Sequence, residues 1–233
     1  MFHFSGFIIS LCAAADPGPY SVVFLQNDRV TMSLLEHSIL TEKPAGLLIS
    51  YHHTIRMSDQ QLRWEEMKDL KVIIPAGARV GEVIESKLKE KLPWVVLSNV
   101  YGSIETGGSV AGSVTQANVG LLYPNTWVKI ENMETGQKLG PGQIGQICVK
   151  NDKMLIGYIN ADNDGIFDSE GFFRMGDVGY FDETGMLYFC DRLKDLIRVG
   201  DHDVYPVTAE DVLDSHPDVL QVIFILMGWI YFS

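Results

Sequence analysis

The sequence predicts an α/β protein: a partial parallel αβ sheet subdomain, a barrel-like antiparallel β subdomain and a short α+β segment. Three observations carry this. Continuous apolar runs alternate with helical patterns over about residues 1–118, as in strand–helix–strand units that build parallel sheets. From about Gly120 to Arg192 the grammar changes to short strands separated by Gly, Asp and Asn. After Asp191-Arg192 helical signals return, over 193–233.

In chain order, Met1–Ala15 pairs an apolar run with Ala13-Ala14-Ala15, superficially like a secretory signal. It lacks the leading Lys or Arg of one and reads instead as a buried helix or helix–strand segment. Ser21–Leu25 and Gly46–Ser50 read as strands around a helix at Val30–Leu40. Lys71–Ile74 is a strand buried on both faces and closed by Pro75. Val80, Val83, Ile84, Leu88 and Leu92 then fall on one helical stripe, with Glu85 four residues before Lys89 and Pro93 as the stop. Trp94–Leu97 is a further apolar strand, followed by a Gly/Ser-rich loop. Trp127–Ile130, Ile144–Val149, Phe172–Arg174, Val178–Phe181 and Met186–Cys190 are the short strands, with a hairpin turn at Asp182–Gly185 that uses the positive φ open to Gly185. Thr208 and Asp211 suggest a capping box, flanked by Val207 and Val212 as a staple. Val219–Phe232 is apolar but shorter than the roughly 20 residues of a membrane span, and reads as a buried strand running into an apolar tail.

Composition narrows the function. Thirty acidic against 18 basic residues leave a formal charge of −12, without a basic cluster, which argues against nucleic acid and anionic membranes as partners. Cys12, Cys148 and Cys190 form neither a disulfide framework nor a zinc spacing.

Two constellations could carry chemistry. Tyr101-Gly-Ser-Ile-Glu105-Thr-Gly-Gly108 follows a buried strand, where open α/β sheets bind ligands; small residues admit a phosphate, Tyr101 offers a flat face and Glu105 a hard oxygen for Mg²⁺. In Gly171–Arg198, Asp177 and Arg192 stand at strand ends where a carboxylate and a guanidinium can clamp ribose hydroxyls. By spacing alone an ordinary Gly-rich turn accounts better for the first stretch, and a turn cap at Asp177 with a solvated charge run accounts at least as well for the second. His52-His53, read on an extended segment, would point to opposite faces and so would not converge on a metal.

Gly142–Leu213 resembles the adenylate-forming superfamily of acyl-CoA synthetases, 4-coumarate–CoA ligases and beetle luciferases. Tyr101-Gly-Ser-Ile-Glu105 is similar to that family's Tyr-Gly-x-Thr-Glu, and Gly171-Phe-Phe-Arg-Met-Gly-Asp177 to its Gly-Trp-x-x-Thr-Gly-Asp. Asp191-Arg-Leu-Lys-Asp-Leu-Ile-Arg198 resembles its Asp-Arg-x-Lys hinge, and Pro75-Ala-Gly-Ala78 its adenosine-binding segment. The four motifs occur in family order, and the likeness runs roughly from Phe4 to Phe224. It implies that 1–192 is the C-terminal half of a large adenylation domain and 193–233 the start of a lid. It implies ATP, Mg²⁺ and CoA as ligands: a fatty or aryl carboxylate attacks the α-phosphate of ATP, and the CoA thiol then attacks the acyl-adenylate. Gly77, Ala78, Tyr101 and Gly102 would hold the adenine and ribose region. Glu105 would ligate Mg²⁺, Asp177 and Arg192 would bind ribose or adenylate, Lys194 would lie at the lid hinge, and Arg198 would lie near CoA. The family habit implies a cytoplasmic or peroxisomal protein, although Tyr231-Phe-Ser233 is no peroxisomal ending.

Departures cluster at these motifs. Ile104 replaces the threonine, Arg79 a proline, Val100 a glycine and Met175 a threonine, while Asp201 stands at a glycine position near CoA and Asp203 and Thr208 replace a glutamine and a glutamate. The family's phosphate loop and late lid lysine have no counterpart in the 233 residues, so the expectation is the central portion of a ligase whose pyrophosphate exchange with fatty or aryl acids is near background. A nucleotide-binding or interaction module without catalysis is the alternative, and luciferase-type oxidation a third.

Overall fold

The computed structural model describes residues 30–78, 80–115, 118–199, 202–214, 216, 219 and 222. The expected strand at Ser21–Leu25 and the Met1–Ala15 segment lie outside them, and so does nearly all of Val219–Phe232. The chain divides into two compact units, Met1–Tyr123 with Lys153–Leu155, and Pro124–Asp152 with Ile156–Ser233.

In the first unit, α1 (Met32–Glu42) starts where Thr31 Oγ1 accepts the Leu34 N–H at 3.2 Å. It turns over at Lys43, whose φ of 49° closes the helix. Next come β1 (Gly46–Ser50), α2 (Tyr51–Asp59), β2 (Val72–Ala76), α3 (Glu82–Lys91) and β3 (Val96–Leu97). β1, β2 and β3 pair in parallel with β2 central, the expected sheet. Leu35, Ile39, Met57, Leu70, Ile73, Ile84, Leu88 and Leu92 fill its core. The helical stripe supplies its share of that core through Ile84, Leu88 and Leu92, and Lys89 pairs with Glu85 on the wet side.

Two local readings change. β2 does not stop at Pro75 but runs through it to Ala76. The carbonyls of Lys71 and Ile73 accept from Val96 and Ser98 on the β3 side, so by strand alternation Pro75 faces that side too, beyond the last β2–β3 pair at Leu97. Its missing N–H therefore leaves no ladder partner wanting. His52 and His53 lie on α2, not on a strand, because Ser50 caps that helix by accepting the His53 N–H. Their rings are 6.0 Å apart and nearly perpendicular. The His53 Nε2–H donates to Val30 O at 3.1 Å and Nδ1 bonds Ser50 Oγ at 2.7 Å, so the ring ties α2 to the entry of α1.

β4 (Asn99–Ser103), β5 (Gly108–Ser113) and β6 (Leu121–Leu122) form a separate antiparallel sheet in this unit. The expected Gly-rich loop is thus a β-hairpin, with Tyr101 inside a strand.

The second unit is built on β7 (Thr126–Glu131), β8 (Gly145–Asn151), β9 (Phe173–Phe181) and β10 (Leu187–Arg192), in the order β10-β9-β8-β7. The barrel-like closure expected over 119–192 is corrected here. Among the described residues this sheet is open, and four strands are fewer than the roughly five to eight that close small barrels. Phe172–Arg174 and Val178–Phe181 are one strand, β9, interrupted by a bulge. The Asp182–Gly185 turn is as expected: Gly185 has φ +83° and Asp182 Oδ1 accepts from Thr184 and Met186 N–H. β11 (Ile197–Val199), β12 (His202–Val204) and α4 (Pro206–Asp214) complete the unit. α4 begins at Pro206, so Thr208 lies inside its first turn rather than at the cap. No helix among the described residues is long and apolar enough to cross a membrane.

Candidate functional site

The motif hairpin is held by its own small residues. The β4–β5 register shifts between Tyr101 and Gly102, and a Cβ on Gly102 would meet Gly108 O at 2.2 Å. Gly102 is therefore required by the strand crossing itself. Tyr101 is buried in β4. The turn Ile104–Gly107 is closed by the Gly107 N–H donating to Ile104 O at 3.0 Å, and Gly107 has φ +66°. Glu105 is half-buried on this turn, while Ile104 beside it is 64% exposed. Gly77 (φ +102°) and Ala78 form an exposed turn at the carboxyl end of β2 in the same unit. The carboxyl ends of parallel strands are where open α/β sheets take ligands.

In the second unit two bulges meet. Between the pairs Gln146↔Val178 and Cys148↔Arg174, the residues Met175-Gly176-Asp177 stand opposite Ile147 alone; Cys190 is the extra residue on β10. This sets Asp177 opposite Arg192, and the Arg192 Nε lies 3.0 Å from Asp177 Oδ1. Asp177 is only 1% exposed, and its guanidinium partner is on the surface. Gly176 has φ +69° with open space where a Cβ would stand. Lys194 is exposed on a 3₁₀ turn, Leu193–Asp195. Arg198 on β11 pairs with Asp203 at 3.2 Å and Glu134 at 3.3 Å, which hold its charge above the ordinary guanidinium range. The structure thus brings Tyr101, Gly102 and Glu105 onto one hairpin and Asp177 onto Arg192. Lys194 and Arg198 stand separately on neighbouring elements of the second unit.

Two residues escaped the sequence reading. Thr106 is 1% exposed, and its hydroxyl accepts the Ser103 N–H at 2.9 Å; its one proton has Gly108 O (2.7 Å) and Ser103 O (3.0 Å) as acceptors. Asp191 is buried and accepts from the backbone N–H of Arg192 (2.7 Å) and Val207 (2.9 Å), so it caps α4 from β10. Pro206 at the first helical position was the available signal for that helix start. The two thiols among the described residues are not nucleophile candidates: burial pushes Cys148 up to about 12 with help from Glu131, and Cys190 up to about 11 with help from Asp191.

The donor set fits the groups that the resemblance implies. Mg²⁺ is commonly held by one or two carboxylates together with substrate phosphates, and Glu105 on a braced turn is a donor of that class. A buried carboxylate beside a guanidinium, with open space at the adjoining glycine, suits the hydroxyls and charge of a nucleotide.

Comparison with known proteins follows the same line. A family model described as "AMP-binding enzyme" matches residues 1–159. A probable 4-coumarate–CoA ligase 2 from Dictyostelium discoideum is 34% identical over 162 residues, 66% of this chain and 29% of that protein. A 4-coumarate–CoA ligase-like protein of Arabidopsis thaliana is 28% identical over 229 residues, 94% of this chain and 40% of its own length. Among solved structures, O-succinylbenzoate Coenzyme A synthetase from Bacillus subtilis in complex with AMP aligns with TM-score 0.71 and 27% identity, covering 84% of this chain and 41% of that one. The same synthetase in complex with ATP and magnesium ion aligns with TM-score 0.71 at 25% identity. The chain therefore spans less than half the length of each of these proteins.

Proposed function

The chain belongs to the AMP-binding enzyme family, and from that premise we propose that it serves an acid–CoA ligase that activates a carboxylic acid through an adenylate. In this reading a fatty or aryl carboxylate attacks the α-phosphate of ATP and displaces pyrophosphate. The CoA thiol then attacks the acyl carbonyl and releases AMP. Gly77, Ala78, Tyr101 and Gly102 would line the adenine and ribose region. Asp177 would accept the ribose hydroxyls, with Arg192 orienting its carboxylate and adding positive charge. Glu105 would hold Mg²⁺, which supplies charge neutralisation at the phosphates. Lys194 would be a pivot of the lid segment, and Arg198 would lie towards CoA once it parts from Glu134 and Asp203.

The single observation that carries the reading is the bulge pair that buries Asp177 against Arg192. Building two irregularities at one place to aim one carboxylate suits a ligand site better than a plain sheet. Calorimetric titration with AMP tests it. Binding by the wild-type chain that weakens about tenfold or more in Asp177→Asn supports the reading, since each lost charge-assisted hydrogen bond is worth roughly 1.5–3 kcal/mol. Equal binding by both proteins would remove Asp177 from the site. A second reading, nucleotide binding without turnover, is favoured by Ile104, which presents a methyl surface where the resembled motif has a hydroxyl. Pyrophosphate exchange with a panel of fatty and aryl acids separates the two.

A further inference from the structure

We propose that Thr106 is the positioning residue for Glu105, and that the Lys153–Leu155 segment is its outer brace; this rests on the reading of Glu105 as the Mg²⁺ ligand. Three fixtures converge on one short turn. From inside, the Thr106 hydroxyl joins both ends of the hairpin mouth, taking the Ser103 N–H and facing Gly108 O and Ser103 O. Across the turn, the Gly107 N–H donates to Ile104 O. From outside, the Leu155 N–H donates to Glu105 O at 2.8 Å. Lys153–Leu155 is a three-residue excursion that belongs to the first unit, although the chain on both sides of it belongs to the second.

Gly107 shows how close this brace lies: a Cβ there would meet Lys153 O at 2.2 Å. With its hydroxyl bonded to Ser103 and Gly108 inside the turn, Thr106 acts through the neighbouring backbone. Glu105 is left half-buried, with the main chain held on both sides of it. A metal ligand held this way gives up little conformational freedom on binding, and partners of that kind typically carry a large share of metal affinity.

The test compares wild type, Thr106→Val, Thr106→Ser, Glu105→Gln and the Thr106→Val/Glu105→Gln double variant of the whole chain. ATP affinity is measured by calorimetry in excess Mg²⁺ and in EDTA. Thr106→Val should reduce the Mg²⁺-dependent gain in affinity about tenfold to a hundredfold while affinity in EDTA stays within about twofold. Thr106→Ser should restore the gain, and in the Glu105→Gln background Thr106→Val should change nothing further. Hydrogen exchange at the Leu155 and Gly107 amides should quicken in Thr106→Val and return with Ser. An undiminished Mg²⁺ gain in Thr106→Val overturns the assignment, and so does an equal loss with and without Mg²⁺. A wild-type chain that binds no ATP in either condition overturns the nucleotide reading itself, and the assignment with it.

Discussion

Gly102 and Gly176 sit in the motifs Tyr101–Glu105 and Gly171–Asp177, and they are glycine for different reasons. Gly102 has Gly108 O where its Cβ would be, whereas Gly176 has open space but a φ of +69°. Gly102→Ala should therefore part β4 from β5 and cost roughly 2–3 kcal/mol, while Gly176→Ala should cost about 1–2 kcal/mol, the strain of a left-handed residue. Urea midpoints of the two variants would rank them, and the reverse order would refute the close-approach argument. The motif identifies both positions, but a close approach between strands is not written in the residues beside it. The cysteines offer a second check. With the Cys148 and Cys190 thiols pushed up to about 12 and about 11, both should resist alkylation at pH 8 in the native chain and react on unfolding, as peptide mass spectrometry would report. Labelling of either in the native state would contradict the burial of Cys148 or the partial burial of Cys190.

Among the elements, α4 starts earlier than its local capping pattern indicates. The Thr208–Asp211 pattern is a legitimate capping signal, yet the helix begins at Pro206 because Asp191, 16 residues earlier, accepts the Val207 N–H. A cap supplied from another strand leaves no local trace. Asp191→Ala should cost about 1–2 kcal/mol and quicken exchange at the Val207 amide, with β7–β8 amides unaffected. Protection unchanged at Val207 would show that α4 is held by packing alone. The Asp182–Gly185 turn was fully legible, since its donor, acceptor and positive φ all lie within five consecutive residues. His52-His53 was misplaced because an apolar strand runs straight into a Ser-capped helix, and the strand reading was carried one turn too far.

At the scale of the whole chain, the acidic excess is partly organised rather than merely solvated. Lys129 Nζ lies 2.9 Å from Glu131, 2.6 Å from Asp168 and 2.8 Å from Glu170, while Arg174 Nε reaches Glu131 at 3.2 Å. Burial disfavours charge on each buried member, but the hydrogen bonds outweigh it, holding Lys129 above its ordinary range and Glu131 and Asp168 below theirs. The stabilisation from Glu131 and Asp168 is present above the unfolded carboxylate range near pH 4 and is lost as pH falls through their lower folded values. The Lys129 contribution is present below its unfolded value near 10.4 and is lost as pH rises through its higher folded value. Stability of the second unit should thus be flat between about pH 5 and 9 and fall in acid. Lys129→Met should cost roughly 3 kcal/mol near neutrality and flatten or reverse the acid limb, because Glu131 and Asp168 would then favour protonation. Denaturation midpoints against pH decide it; an acid limb identical to wild type would remove Lys129 as the organiser. By itself the sequence determined the periodic and dihedral features: the parallel sheet, the core stripe, the hairpin glycine and the order of motifs that marks the family. Those follow from residues within a few positions of one another. Tertiary structure alone decided the open sheet, the twin bulges that aim Asp177, the brace on Glu105 and the cap from Asp191. Each of these joins groups far apart in the chain, where pairing is set by strand register and packing and not by any local preference.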